Sequence, residues 1–94
     1  MIRENETKRY IIHCSTKQEW IDAVKKLFNV GYSWSDDDDD IREYSWDDYT
    51  YQSCIYMKET KDLSYCEKKF FENDKYSYPY PIISAREFIK FIQL

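Results

Sequence analysis

Arg9-Tyr-Ile-Ile-His-Cys-Ser-Thr-Lys-Gln-Glu-Trp20-Ile-Asp-Ala-Val-Lys-Lys-Leu-Phe-Asn-Val-Gly31 is the stretch whose reading decides the fold. Arg9 to Cys14 is β-branched and aromatic, which predicts a strand. Ser15 and Thr16 stop it. Ser15 with Gln18, or Thr16 with Glu19, fits a capping box, in which a hydroxyl accepts an orphan amide proton at a helix start and the Gln or Glu side chain reaches back. Trp20, Ala23, Val24, Leu27 and Phe28 then recur at helical spacing, while Lys17, Asp22, Lys25 and Lys26 fall off that stripe, so a helix follows. Gly31, the only glycine of the chain, ends it at a position where a left-handed residue costs nothing sterically.

Beyond Gly31, Tyr32 and Trp34 alternate with Ser33 and Ser35, a strand with its rings on one face. Asp36 to Asp40 break it, because adjacent carboxylates repel and Asp is a poor strand former. Tyr44-Ser-Trp46 repeats the alternation and is expected to pair with Tyr32-Ser-Trp34 as a hairpin around an acidic tip, residues 36–49. Thr50 to Lys58 reads as the clearest strand, with Tyr51, Ser53, Ile55 and Met57 on one face and Gln52, Cys54, Tyr56 and Lys58 on the other. A polar turn at Glu59 to Asp62 leads to a returning strand from Leu63 to Glu67. Phe70-Phe71 is expected in an irregular connection, and Tyr76 to Pro81 in an extended edge segment, because proline restricts the residue before it and cannot donate to a ladder. Ser84-Ala-Arg-Glu87 is a second capping box, opening a closing helix that carries Phe88, Ile89, Phe91, Ile92 and Leu94.

This order predicts an α+β domain, a small antiparallel sheet with two helices packed on one face. The length suits one domain over residues 1–94, close to the size at which one core still holds a fold. The polar opening Met1 to Lys8 is expected to fray. Ten Tyr, five Phe and three Trp exceed what so small a core consumes, and the surplus favours a binding surface.

Charge is unevenly spread. From Asp36 to Asp48 there are eight acidic residues (Asp36, Asp37, Asp38, Asp39, Asp40, Glu43, Asp47 and Asp48) against Arg42 alone. That segment carries −7 in a chain of −4, so the remainder carries +3. Such a patch opposes binding to nucleic-acid phosphates and attracts a basic protein surface. Trp34, Tyr44, Trp46 and Tyr49 are interleaved with it and would supply the aromatic anchors that dominate interface energetics; for Trp34 and Trp46 the competing expectation, and the favoured one, is a place in the core. The candidate partner-binding residues are therefore Asp36 to Asp40, Glu43, Tyr44, Trp46, Asp47, Asp48 and Tyr49.

Other chemistries find less support. His13 and Cys14 are strand neighbours on opposite faces and cannot pair with each other; Cys54 or Cys66 could approach His13 in space. Asp36, Asp38 and Asp40 match the alternation of a calcium loop, but Ile41 stands where that loop needs glycine. Neither a catalytic site, a metal nor a cofactor is expected. Three cysteines without C-x-x-C spacing, and no secretory leader, predict free thiols in a reducing cytoplasm. No apolar run approaches the roughly 18 residues that span a bilayer.

Cys14 to Trp20 through Lys26-Leu-Phe-Asn-Val-Gly-Tyr-Ser-Trp34 resembles a pattern of small early proteins of tailed bacteriophages: a strand, a capped helix, then L-F-x-x-G-Y-x-W. Ile83-Ser-Ala-Arg-Glu-Phe-Ile89 is similar to their usual ending. Together these cover about a third of the chain. The resemblance implies a protein of the host-cell cytoplasm that binds and blocks a host enzyme or defence system (restriction, CRISPR or toxin). Asp36 to Asp40 replace the short polar loop usual in that group, so they are expected to be target-specific. The competing expectations are a small metal- or cysteine-dependent enzyme and an accessory structural phage protein without an inhibitory role.

Overall fold

The computed structural model describes residues 9–34, 40–58, 60–75 and 77–91, so Met1 to Lys8 lie outside it. The opening unit forms as its sequence dictates: strand β1 (Ile11–His13) leads into helix α1 (Lys17–Asn29). Thr16 Oγ accepts the Glu19 amide at 3.1 Å, and Glu19 Oε1 accepts the Ser15 amide at 2.9 Å, so the return bond lands one residue before the cap. At the other end Gly31 adopts φ +99°. The Tyr32 amide then reaches Leu27 O at 3.0 Å and the Gly31 amide reaches Phe28 O at 3.1 Å, a Schellman closure. Lys61 Nζ adds a bond to Val30 O at 3.1 Å, a cation where the helix dipole wants one. The closure aims Tyr32 and Trp34 into the core, with Ser33–Trp34 forming β2.

Strands β3 (Ser53–Met57) and β4 (Asp62–Glu67) form the expected hairpin, in register from Ser53↔Glu67 to Met57↔Leu63. Helix α2 (Trp46–Tyr49) precedes it, and helix α3 (Lys68–Asn73), strand β5 (Ile82–Ser84) and helix α4 (Ala85–Phe91) follow. Ser84 Oγ caps α4 by accepting the Glu87 amide at 3.1 Å. The α+β class holds.

The sheet is five-stranded and mixed, in the order β2-β4-β3-β1-β5, which corrects the small antiparallel sheet. β2 runs parallel to β4 and β5 parallel to β1, so β3 alone runs against the rest. Parallel strands cannot be joined by a tight turn and need crossovers, commonly helical: α1 carries the chain from β1 across the sheet to β2, and α3 carries it from β4 across to β5.

These crossovers cover both faces of the sheet. Ile12, Ile55, Met57, Leu63 and Trp34 pack under Trp20, Ala23, Val24 and Leu27 of α1 and Phe88 of α4. Phe28 joins them partly buried, and Ile92, expected in the same core, lies outside the described residues. Lys26 ties the two helices by donating to Phe88 O at 2.8 Å. On the opposite face Ile11 and Cys54 pack under Phe71, with Tyr56, Tyr78 and Tyr80 around them. A strand buried on both faces reads as a continuous apolar run, which is why Ile11 and Ile12 are both fully buried.

Three local expectations are corrected. Tyr44-Ser-Trp46 is not a strand: Glu43–Ser45 is a 3-10 turn that runs into α2, and Thr50–Gln52 is another before β3. An alternation of three residues is too short to fix a period of two, and the acidic residues here suit helix starts. Phe70-Phe71 lies in α3, where Phe71 is buried and Lys68 faces Glu72 one turn on, at 3.8 Å. The Tyr78 amide bonds back to Asp74 O at 3.1 Å, and the chain reaches the sheet edge only when Pro81 O accepts the Ile11 amide at 2.9 Å.

Candidate functional site

Three tryptophans fasten the corner that carries the acidic candidates. Each indole N–H needs an acceptor once its ring is buried. Trp34 donates to Asp40 O at 2.8 Å, Trp20 to Ile41 O at 3.0 Å and Trp46 to Cys14 O at 3.0 Å. Trp20 and Trp34 stack with centroids 5.9 Å apart, and the Arg42 guanidinium lies 5.0 Å from the Trp34 ring centroid. Trp34 is therefore core. Arg42 takes φ 60°, and the Asp40 carboxylate accepts its amide at 3.1 Å, which turns the chain into the Glu43–Ser45 turn.

From this base the outward side chains follow. Glu43, Asp47 and Asp48 are exposed, as is Asp40. Tyr44 is 59% exposed and Tyr51, at the far end of α2, is 65% exposed. Asp47 pairs with Lys17 of α1 at 3.1 Å, and Asp48 accepts the Tyr65 hydroxyl at 2.7 Å. Both contacts lie at the surface and keep the carboxylates in place without withdrawing them from water. Trp46 and Tyr49 are half-buried; Trp46 belongs with the core, and Tyr49 meets Tyr65 edge-on at 6.0 Å. The Tyr49 phenol pKa is raised, chiefly by the charge of the Cys66 thiol group beside it and by their hydrogen bond. Asp36, Asp37, Asp38 and Asp39 lie outside the described residues.

Of the sequence candidates among the described residues, Asp40, Glu43, Tyr44, Asp47 and Asp48 are exposed. Sequence reasoning assigned Tyr51 to a strand and missed Lys17 and Tyr65, which hold two of the carboxylates. An acidic residue on one element and a Lys on an early helix carry no local signal of their pairing.

Beside α3 lies a cleft of about 550 Å³ lined by His13, Lys68, Glu72, Lys75 and Ser84. His13 and Cys54 are register partners, so the approach left open by the sequence is realised in the ladder. His13 Nε2 lies 2.6 Å from Tyr51 O, and since a carbonyl only accepts, that nitrogen carries the proton. Burial pushes the Cys54 thiol up to about 12, and it stays protonated at neutral pH. A protonated thiol is a poor nucleophile. Among the described residues no group of three His, Cys, Asp or Glu side chains is placed to hold a metal ion, and no helix is long and apolar enough to cross a membrane.

No family model, no curated protein and no solved structure matches this chain.

Proposed function

We propose that this chain is a phage-encoded binding protein that docks its acidic corner on a basic surface of a host protein. In doing so it inhibits a nucleic-acid-handling defence enzyme by occupying a groove that otherwise takes phosphates. The observation that carries the reading is the pair of exposed rings, Tyr44 and Tyr51, standing at either end of α2 among Glu43, Asp47 and Asp48. Exposed carboxylates steer association and select against acidic partners, while rings on a fixed backbone supply contact area at little entropic cost. Trp46 supports it from beneath by tying α2 to the end of β1.

The test is capture from a bacterial lysate on the immobilised chain at low and high salt, followed by competition with duplex DNA. Docking on a phosphate-binding groove gives one stoichiometric nucleic-acid-binding partner, released by salt and by DNA. A partner that stays bound in the presence of both contradicts the reading.

A further inference from the structure

Cys54 and Cys66 face each other across the β3–β4 hairpin as Cα partners. Which kind of antiparallel pair they form follows from the ladder. The Lys58 amide bonds to Asp62 O at 3.0 Å, which makes Lys58 and Asp62 a hydrogen-bonded pair. Hydrogen-bonded and non-hydrogen-bonded pairs alternate along an antiparallel ladder. Counting in twos from Lys58↔Asp62, Tyr56↔Ser64 and then Cys54↔Cys66 are also hydrogen-bonded pairs.

Such a pair holds its Cα atoms about 5.5 Å apart, inside the range of about 4.4–6.8 Å that a disulfide bridges. Both side chains lie on the α3 face of the sheet, packed in one cluster with Ile11 and Phe71. Both are free thiols, Cys54 fully buried and Cys66 half-buried. Cys14 is on the other face in the main core, where its thiol donates to Ile12 O at 3.8 Å.

We propose that Cys54 and Cys66 are a redox modification site, converted by a hydroperoxide into a reversible cross-strand disulfide. Cys66 is the sulfur that the oxidant reaches. Its Sγ takes one peroxide oxygen to become a sulfenic acid, and the other oxygen leaves as alcohol or water. Cys54 Sγ then attacks that sulfenic sulfur and loses its thiol proton; hydroxide leaves and takes up the proton as water. The net change is two thiols and one hydroperoxide to one disulfide, one alcohol and one water. Burial makes the Cys54 thiol a slow nucleophile on its own, so the second step depends on the ladder holding the sulfenic sulfur directly opposite it. Cys66 is only half-buried, so a reductant reaches the bridge, and accessible bridges are the readily reduced ones.

The experiment treats the native, reduced protein with hydrogen peroxide, alkylates the remaining thiols after unfolding, and maps the peptides. The expected result is a linked Cys54–Cys66 peptide, an alkylated Cys14 and a monomer, all returned to three thiols by dithiothreitol. The Cys14→Ser variant gives the same bridge, and Cys66→Ser gives none. Three outcomes overturn the proposal: Cys66 as a sulfinic acid with Cys54 still free, a bridge between two molecules, or no thiol loss at a peroxide dose that oxidises Cys66 in the Cys54→Ser variant.

Discussion

Gly31 shows how far a single residue can be read. Its place after an apolar stripe predicts a left-handed helix end, and φ +99° is what it adopts. A Cβ there would meet only Lys61 Nζ at 3.6 Å and Cδ at 4.0 Å, so space is not the constraint. The backbone is. Gly31→Ala is expected to cost about 1–2 kcal/mol, the left-handed penalty of a residue with a Cβ, read as a lower urea midpoint at unchanged slope. The cysteines carry a pH prediction. The Cys54 thiol is pushed up to about 12 by burial, whereas an unfolded thiol ionises near about 8.5. Between those values the unfolded chain binds fewer protons than the folded one, so stability falls as pH rises through that window. Cys54→Ala should flatten part of that alkaline slope in denaturation midpoints measured across the window; Cys14, whose thiol burial also raises, and the raised phenols of Tyr32, Tyr49 and Tyr65 act in the same direction. Trp46 shows where residue-level reading stops. Its ring fits either an interface anchor or the core in sequence, and the bond to Cys14 O shows that it holds the corner from within.

Among the elements, α1 and the β3–β4 hairpin were legible because each carries several turns or several alternations of pattern. Leu27 sits at the centre of the α1 stripe, fully buried. Leu27→Ala should cost about 2–5 kcal/mol for transfer and cavity together, as a fall in the unfolding free energy. A change under 1 kcal/mol, in the range of exposed substitutions, would contradict its core placement. The short elements were not legible. α2 and the 3-10 turns around it span only a few residues each, and their conformation is set by tertiary bonds from Trp20, Trp34 and Trp46 rather than by local propensity. α3 escaped notice for a related reason: Phe70 and Phe71 are adjacent, so no stripe emerges before the helix ends. Tyr44 and Trp46 separate the two roles at the corner. Trp46→Ala should lower the melting temperature, while Tyr44→Ala should leave it unchanged and speed dissociation of a bound partner.

At the scale of the molecule the class was legible and the sheet order was not. Composition and the strand-helix order dictate α+β, but the parallel pairings β2–β4 and β1–β5 join strands with other elements between them in the chain, which no local pattern reveals. Of the candidate site only the charge is legible in the same sense: a −7 segment is visible in any reading of residues 36–48. Which of its residues face outward depends on the tryptophan bonds beneath. The proposed docking rests on charge, and charge acts mainly on the rate of encounter, screened over about 8 Å at physiological ionic strength. The most direct measurement is therefore the association rate of the captured partner at rising salt, for the native chain and for the variant Glu43→Gln, Asp47→Asn, Asp48→Asn. Steering by the corner predicts a native rate that falls steeply with salt, a variant rate that is slower at low salt and flatter, and similar dissociation rates. A variant that associates as fast as the native chain at low salt contradicts it.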